Sequence, residues 1–145
     1  MSEGTIAIAA DHAGYALKEV LKEELEACGL DVIDLGTDSD ASVDYPDFGR
    51  AVGEAVACGD AARGVIICGT GIGISIAANR IAGVRAALCH DATSARLARE
   101  HNDANVLALG ARLLGPEVAH DCLRIFLDTA FPGGERHDRR VRKLG

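Results

Sequence analysis

A chain of 145 residues fits one domain with a substantial core and is too short for two. Its 48% hydrophobic and 26% charged residues exclude a disordered or collagen-like protein, and a net charge of −7 argues against a general nucleic-acid binder, because phosphate backbones are held by clustered Lys and Arg. No apolar run approaches a bilayer-crossing length, and MSEGTIAIAADHAG has neither a basic leader nor a small-residue cleavage site, so no membrane partner is expected and the expected location is the cytoplasm.

Thr5–Ala9 (TIAIA) reads as the first strand, nearly continuous in apolar residues as in a strand covered on both faces. Tyr15–Cys28 reads as a helix, with Leu17, Val20, Leu21 and Leu25 at three- and four-residue spacing and Gly29 as a stop. The order then repeats: strand Asp31–Leu35, helix Pro46–Gly59, strand Gly64–Cys68, helix Ile72–Ile81, strand Val84–Cys89, helix Ala92–His101, strand Asn105–Leu109 and helix Pro116–Thr129. Pro46 and Pro116 suit the first turn of a helix. This alternation predicts a single-domain three-layer α/β/α sandwich, a five-stranded parallel sheet with helices on both faces. Ligands in such folds bind beyond the carboxyl ends of the strands. Asp11-His12, Cys68 with its glycines, His90-Asp91 and Arg112 all follow predicted strands.

The turn Cys68-Gly69-Thr70-Gly71-Ile72-Gly73-Ile74-Ser75 matches neither common nucleotide motif. A dinucleotide loop would place its last glycine at Ile74 or Ile76, and a P-loop needs a Lys after its final glycine. What remains is a strand-to-helix turn whose backbone can approach a ligand closely and whose amides and helix dipole favour an anion. A tight turn that merely packs a helix on its strand is the plainer alternative. Cys68 stands where the same dipole favours a thiolate, able to act as base or nucleophile; the plainer reading is a strand-end core cysteine.

The other cysteines, Cys28, Cys58, Cys89 and Cys122, are widely spaced without a CxxC pair, which disfavours zinc and disulfide frameworks. His12 beside Asp11 could bind an anion, and His101-Asn102-Asp103 precedes the fifth strand, yet both could equally be ordinary helix ends. Residues 135–145 carry +3 while residues 1–134 carry −10. If residues 135–144 are helical, Arg136 and Arg140 share one face as a fork-like phosphate clamp, with His137, Val141 and Leu144 as a docking stripe. A solvated basic tail is the alternative.

Together DHAGYALK (11–18), DYPDF (44–48), CGTGIGISIAANR (68–80), HNDANVLALGAR (101–112) and RHDRRV (136–141) resemble the ribose-5-phosphate isomerase B family, which includes galactose-6-phosphate isomerase subunits. The resemblance covers nearly the whole chain. It implies a Rossmann-like sandwich and an aldose–ketose isomerase that needs no metal or other cofactor. It also implies a homodimer or dimer of dimers whose sites are shared between subunits. By resemblance, Cys68 is the base, Thr70 and the amides of Gly69, Gly71, Ile72 and Gly73 hold the enediolate, and His101 helps open the sugar ring. Asp11, Tyr45 and Asn102 would contact sugar hydroxyls, and His12, Arg136, Arg140 and Arg112 the phosphate. Some members use a glutamate from the following helix as base; here position 75 is Ser, which places the chain in the cysteine branch. Glu135 stands between Gly134 and Arg136, where the family pattern runs GG directly into RH. Isomerases of six-carbon sugar phosphates and a non-catalytic flavodoxin-like binding module are the competing readings.

Overall fold

The structure, a computed structural model, describes residues 4–145; Met1–Glu3, which open the stretch read as lacking a leader, lie outside the described residues. Five parallel strands, β1 (Thr5–Ala10), β2 (Asp31–Asp34), β3 (Arg63–Cys68), β4 (Ala86–Leu88) and β5 (Val106–Gly110), lie in the order β2-β1-β3-β5-β4. The fold is the predicted single-domain three-layer sandwich. Helices α1 (Tyr15–Ala27), α4 (Ala92–Asn102) and α5 (Pro116–Asp128) cover one face, and α2 (Tyr45–Ala57) and α3 (Ile72–Asn79) the other. Successive strand residues point to opposite faces. Ile8, Val65, Ile67, Leu107 and Leu109 therefore pack towards α1, α4 and α5, while Ala9, Ile66, Cys68 and Ala108 pack towards α2 and α3. A final helix, α6 (Glu135–Leu144), packs against α4.

The fourth strand is three residues long where six were expected. The Val84 amide closes a turn on the Ile81 carbonyl at 3.1 Å, and the Arg85 amide donates to Asn105 Oδ1 at 2.8 Å, so neither is left for a ladder. On the open edge of β4 the Asn79 side chain stands in for a strand: it accepts from the Ala86 amide at 2.7 Å and donates to the Ala86 carbonyl at 3.0 Å. That use of Asn79 ends α3 short of the predicted Ile81.

Lys18 is 1% exposed, although the heptad-like spacing around it left it among the polar positions of α1. Its Nζ donates to both carboxylate oxygens of Asp34, at 2.8 and 2.7 Å, and to Glu19 at 3.1 Å. Asp34 also accepts from Lys22 at 3.1 Å and from the Gly36 amide at 2.9 Å. The Gly36 carbonyl takes the Ala10 amide at 2.8 Å, and the Thr37 amide returns to the Ala10 carbonyl at 2.7 Å. A buried ion pair thus straps the exit of β2 to the residue just before Asp11.

The chain turns one way from β1 to β2 and the other way to β3, so β1 and β3 flank a switch point, where ligands of open α/β sheets bind. Asp11 and His12 leave β1 there, and Cys68 and its glycines leave β3.

Candidate active site

Asp11, His12, Tyr45, Cys68, Gly69, Thr70, Ile72, Gly73 and Arg112 line one open hollow of about 490 Å³ at that switch point. Sequence reasoning had named each of these. Ile76, one turn beyond Ile72 on α3, also lines it and was not named; the i,i+4 pair of isoleucines after a glycine turn is the signal that would have found it.

The β3–α3 turn is dictated by its glycines. Gly71 caps α3 with φ +79°, a conformation that costs other residues, and a Cβ there would fall 2.9 Å from the Leu109 carbonyl carbon. The Gly73 position is covered by the Tyr45 ring, which leaves no room for a side chain. Register places Gly110 beside Cys68, and Arg112 returns over the turn, its amide donating to the Gly69 carbonyl at 2.9 Å.

Cys68 is 4% exposed, and its Sγ accepts the Gly71 amide at 3.1 Å. Thr70 Oγ1 accepts the Ile72 amide at 3.1 Å, which turns its own hydroxyl proton elsewhere. Two of the loop amides expected to meet a ligand are therefore already engaged, one on the sulfur and one on Thr70. The Ser75 hydroxyl donates to the Ile72 carbonyl at 2.7 Å. Burial pushes the Cys89 and Cys122 thiols each up to about 11, so at neutral pH both stay protonated.

On the β1 side Asp11 is buried, and its Oδ1 accepts the Ala13 and Gly14 amides at 3.0 and 3.1 Å. His12 Nδ1 accepts the Val43 amide at 3.1 Å. An acceptor Nδ1 leaves the ring proton on Nε2. His90 and Asp91, expected at the same strand-end edge, are not part of this hollow. Asp91 serves instead as the N-cap of α4, its Oδ1 accepting the Ser94 amide at 2.6 Å.

The structure does not bring the remaining named residues to Cys68. His101 and Asn102 end α4 just before β5, at the opposite end of the strands, roughly 13 Å away for the rise from Val106 to Gly110 along β5 alone. They line a groove of about 700 Å³ beside β4, together with Arg85 and Leu144. Arg136 and Arg140 lie on the exposed side of α6. Glu135 is the first residue of that helix, so the RHxxRV spacing is kept within one helix. The docking stripe holds for His137 and Val141, which are half-buried, whereas Leu144 is 62% exposed.

His137 stacks on His101, with ring centroids 5.0 Å apart and planes within 9°. Burial and then the positive charge of Arg136, His101 and Arg140 hold the His137 imidazole below its ordinary range. Protonation is thereby disfavoured in the folded state, so the contribution of this contact is full above the ordinary histidine pKa of about 6.5 and is lost as pH falls below it. Heating scans at pH 7.5 and 5.5 should show a larger drop in Tm for the wild type than for His137→Phe. Equal drops in the two proteins would rule the contact out.

Among the described residues no group of three or more His, Cys, Asp and Glu is placed to hold a metal ion, and no helix is long and apolar enough to cross a membrane. The parallel α/β sandwich thus gathers a glycine turn, a buried cysteine, an acid and a histidine at one switch point. The family model described as Ribose/Galactose Isomerase matches residues 6–144, and the chain belongs to that family. It is 46% identical to ribose-5-phosphate isomerase B of Escherichia coli (strain K12) over 139 residues, 96% of this chain and 93% of that protein. It is 43% identical to D-erythrulose-4-phosphate isomerase of Pectobacterium atrosepticum, over 97% of this chain and 93% of that one. The solved structure of Clostridium thermocellum ribose-5-phosphate isomerase B superposes with a TM-score of 0.96 at 52% identity, covering 97% of this chain and 95% of that one.

Proposed function

We propose that this isomerase interconverts ribose 5-phosphate and ribulose 5-phosphate through an enediolate, with Cys68 as the base. The observation that carries the reading is the Cys68 sulfur at the mouth of a glycine turn, accepting an amide hydrogen bond that suits a negative sulfur. The thiolate takes the proton from C2 of the open-chain aldose. The electron pair forms the C1=C2 bond and pushes the carbonyl pair onto O1; the O2 hydroxyl proton passes to O1, and the Cys68 thiol returns its proton to C1 as O2 becomes the ketone oxygen. Negative charge on the oxygens is met by the Thr70 hydroxyl and by the Gly69 and Gly73 amides, donors fixed before the reaction begins. Asp11, Tyr45 and Asn102 contact sugar hydroxyls. His12, donating from Nε2, takes the phosphate with Arg112, Arg136 and Arg140, so that binding at the far end orients the reacting carbons.

The site is shared in a homodimer or dimer of dimers in the cytoplasm, with His101, Asn102 and the α6 arginines of the partner subunit completing each Cys68 hollow. Two features support this. Those four residues lie away from the Cys68 edge of their own sheet, and Ile72 and Ile76 are 50% and 54% exposed beside the hollow, an apolar surface suited to being covered.

A second reading, the same chemistry on a sugar phosphate of another length, is favoured by the relative named for erythrulose 4-phosphate. Turnover of ribose 5-phosphate in a chelator-treated preparation, with allose 6-phosphate alongside, separates the readings. The pentose is expected to react faster. A faster hexose would move the assignment to six-carbon substrates, and no turnover of either would remove the pentose and hexose assignments together.

A further inference from the structure

The α4–β5 turn contains the one non-glycine residue with positive φ among the described residues, Asp103, at φ +46° and ψ +45°. An L-residue rarely holds the left-handed conformation unless its surroundings over-determine it, and such residues cluster where geometry matters. Here the surroundings are two arginines. Arg99, buried under α5 with its guanidinium over the Phe126 ring, donates from Nη1 to Asp103 Oδ1 at 2.8 Å and to the Ala104 carbonyl at 2.7 Å, and from Nε to the Thr129 carbonyl at 3.0 Å. Arg85, just before β4, reaches the same turn from the other side. Its Nε donates to the carbonyls of Asn102 and Asp103, both at 3.0 Å, and its Nη2 to Asp103 Oδ2 at 3.4 Å. Arg85 is itself held through its amide on Asn105.

We infer that Asp103, gripped between Arg85 and Arg99, is a positioning residue that aims His101 for the ring-opening half of the reaction. Helix ends fray when their last carbonyls find no partner. In α4 the last carbonyl and the first residue beyond the helix are held by Arg85 and Arg99, and His101 stands two residues before Asp103 with its ring stacked on His137. Neither arginine touches the Cys68 hollow. Their contribution is to fix where α4 delivers the His101 side chain. The inference rests on the ring-opening role that the family resemblance implies for His101.

The test pairs a substrate that must be opened with a ligand that has no ring. Ribose 5-phosphate cyclises, whereas 4-phosphoerythronate is an open-chain acid that mimics the enediolate. Asp103→Asn keeps a residue tolerated in the left-handed region but loses the charge both arginines hold. It should lower kcat on ribose 5-phosphate about ten- to a hundredfold, the range a small misplacement of catalytic groups can cost. KM and the Ki of 4-phosphoerythronate should stay within twofold. Arg85→Lys, which keeps the charge but loses the fork, should show the same split. Equal loss in kcat and in 4-phosphoerythronate affinity would mean a structural role only, and unchanged kcat would mean no role; either overturns the inference. A wild type that binds 4-phosphoerythronate without converting ribose 5-phosphate would instead overturn the pentose assignment, and the inference with it.

Discussion

Cys68→Ala lowers kcat on the sugar phosphate by about 10²- to 10⁴-fold, the span that a positioned proton-transfer group usually contributes, while KM changes little. The change removes one atom from a site that is 4% exposed, so the hollow keeps its shape. It also strips the Gly71 amide of its acceptor, which costs on the order of 1 kcal/mol of stability. Activity therefore falls much further than folding does. No other cysteine can take over, because the Cys89 and Cys122 thiols are pushed to about 11 by burial and pack in the core on the opposite face of the sheet from Cys68, and Cys28 and Cys58 stand at the C-terminal ends of α1 and α2, outside the hollow. Cys68→Ser restores the acceptor for Gly71 but not an acidic enough proton carrier, and should remain nearly as slow. Retention of most of kcat in Cys68→Ala, measured under saturating substrate, would show that a different group moves the proton.

Lys18→Met is expected to cost about 3 kcal/mol of stability, the lower end of what breaking a buried ion pair costs, because Asp34 is 23% exposed and keeps Lys22. Methionine fills much of the lysine volume, so the loss reports on charge rather than on a cavity. The pH dependence follows from Asp34. Burial pushes its carboxyl up, but hydrogen bonds from Lys18, the Gly36 amide and Lys22 outweigh that and hold it below the usual carboxylate range. Such a group stabilises the fold above its unfolded value, about 3.9, and the stabilisation is lost as pH falls through the lower folded value. The gap in urea stability between wild type and Lys18→Met should therefore narrow between pH 7 and pH 3. A gap below about 1 kcal/mol at pH 7 would show that the pair contributes no more than an exposed one. Because Asp34 is strapped through Gly36 to Ala10, a modest loss of activity should accompany the loss of stability.

The alternation of strands and helices was legible because it is written in local periodicity, and the strand-end rule then gathered Asp11, His12, Cys68 and Arg112 correctly. The insertion of β5 between β3 and β4 was not legible, since pairing between distant strands leaves no mark on spacing. Lys18 looked like one more polar position among the leucines of α1; only the arrival of β2, carrying Asp34, makes it interior. The Val43 amide on His12 joins residues 31 positions apart, and the grip of Arg85 and Arg99 on Asp103 joins three segments of chain. Contacts of that kind are made by the fold and are invisible to a reading along the chain. The position of His101 just before the fifth strand was legible, and it is what sets that residue at the other end of the strands from Cys68.

The cradle beside Cys68 is formed by backbone at the exit of β3, whereas Arg136 and Arg140 ride on a helix added after the sheet is complete. On the proposed roles, His12 and Arg112 hold the phosphate from within the Cys68 hollow, while Arg136 and Arg140 hold it from a separate helix. Half of the anchor is thus fixed with the chemistry and half rides on α6. A small slide of α6 along α4 would move that second half without disturbing a single glycine of the turn.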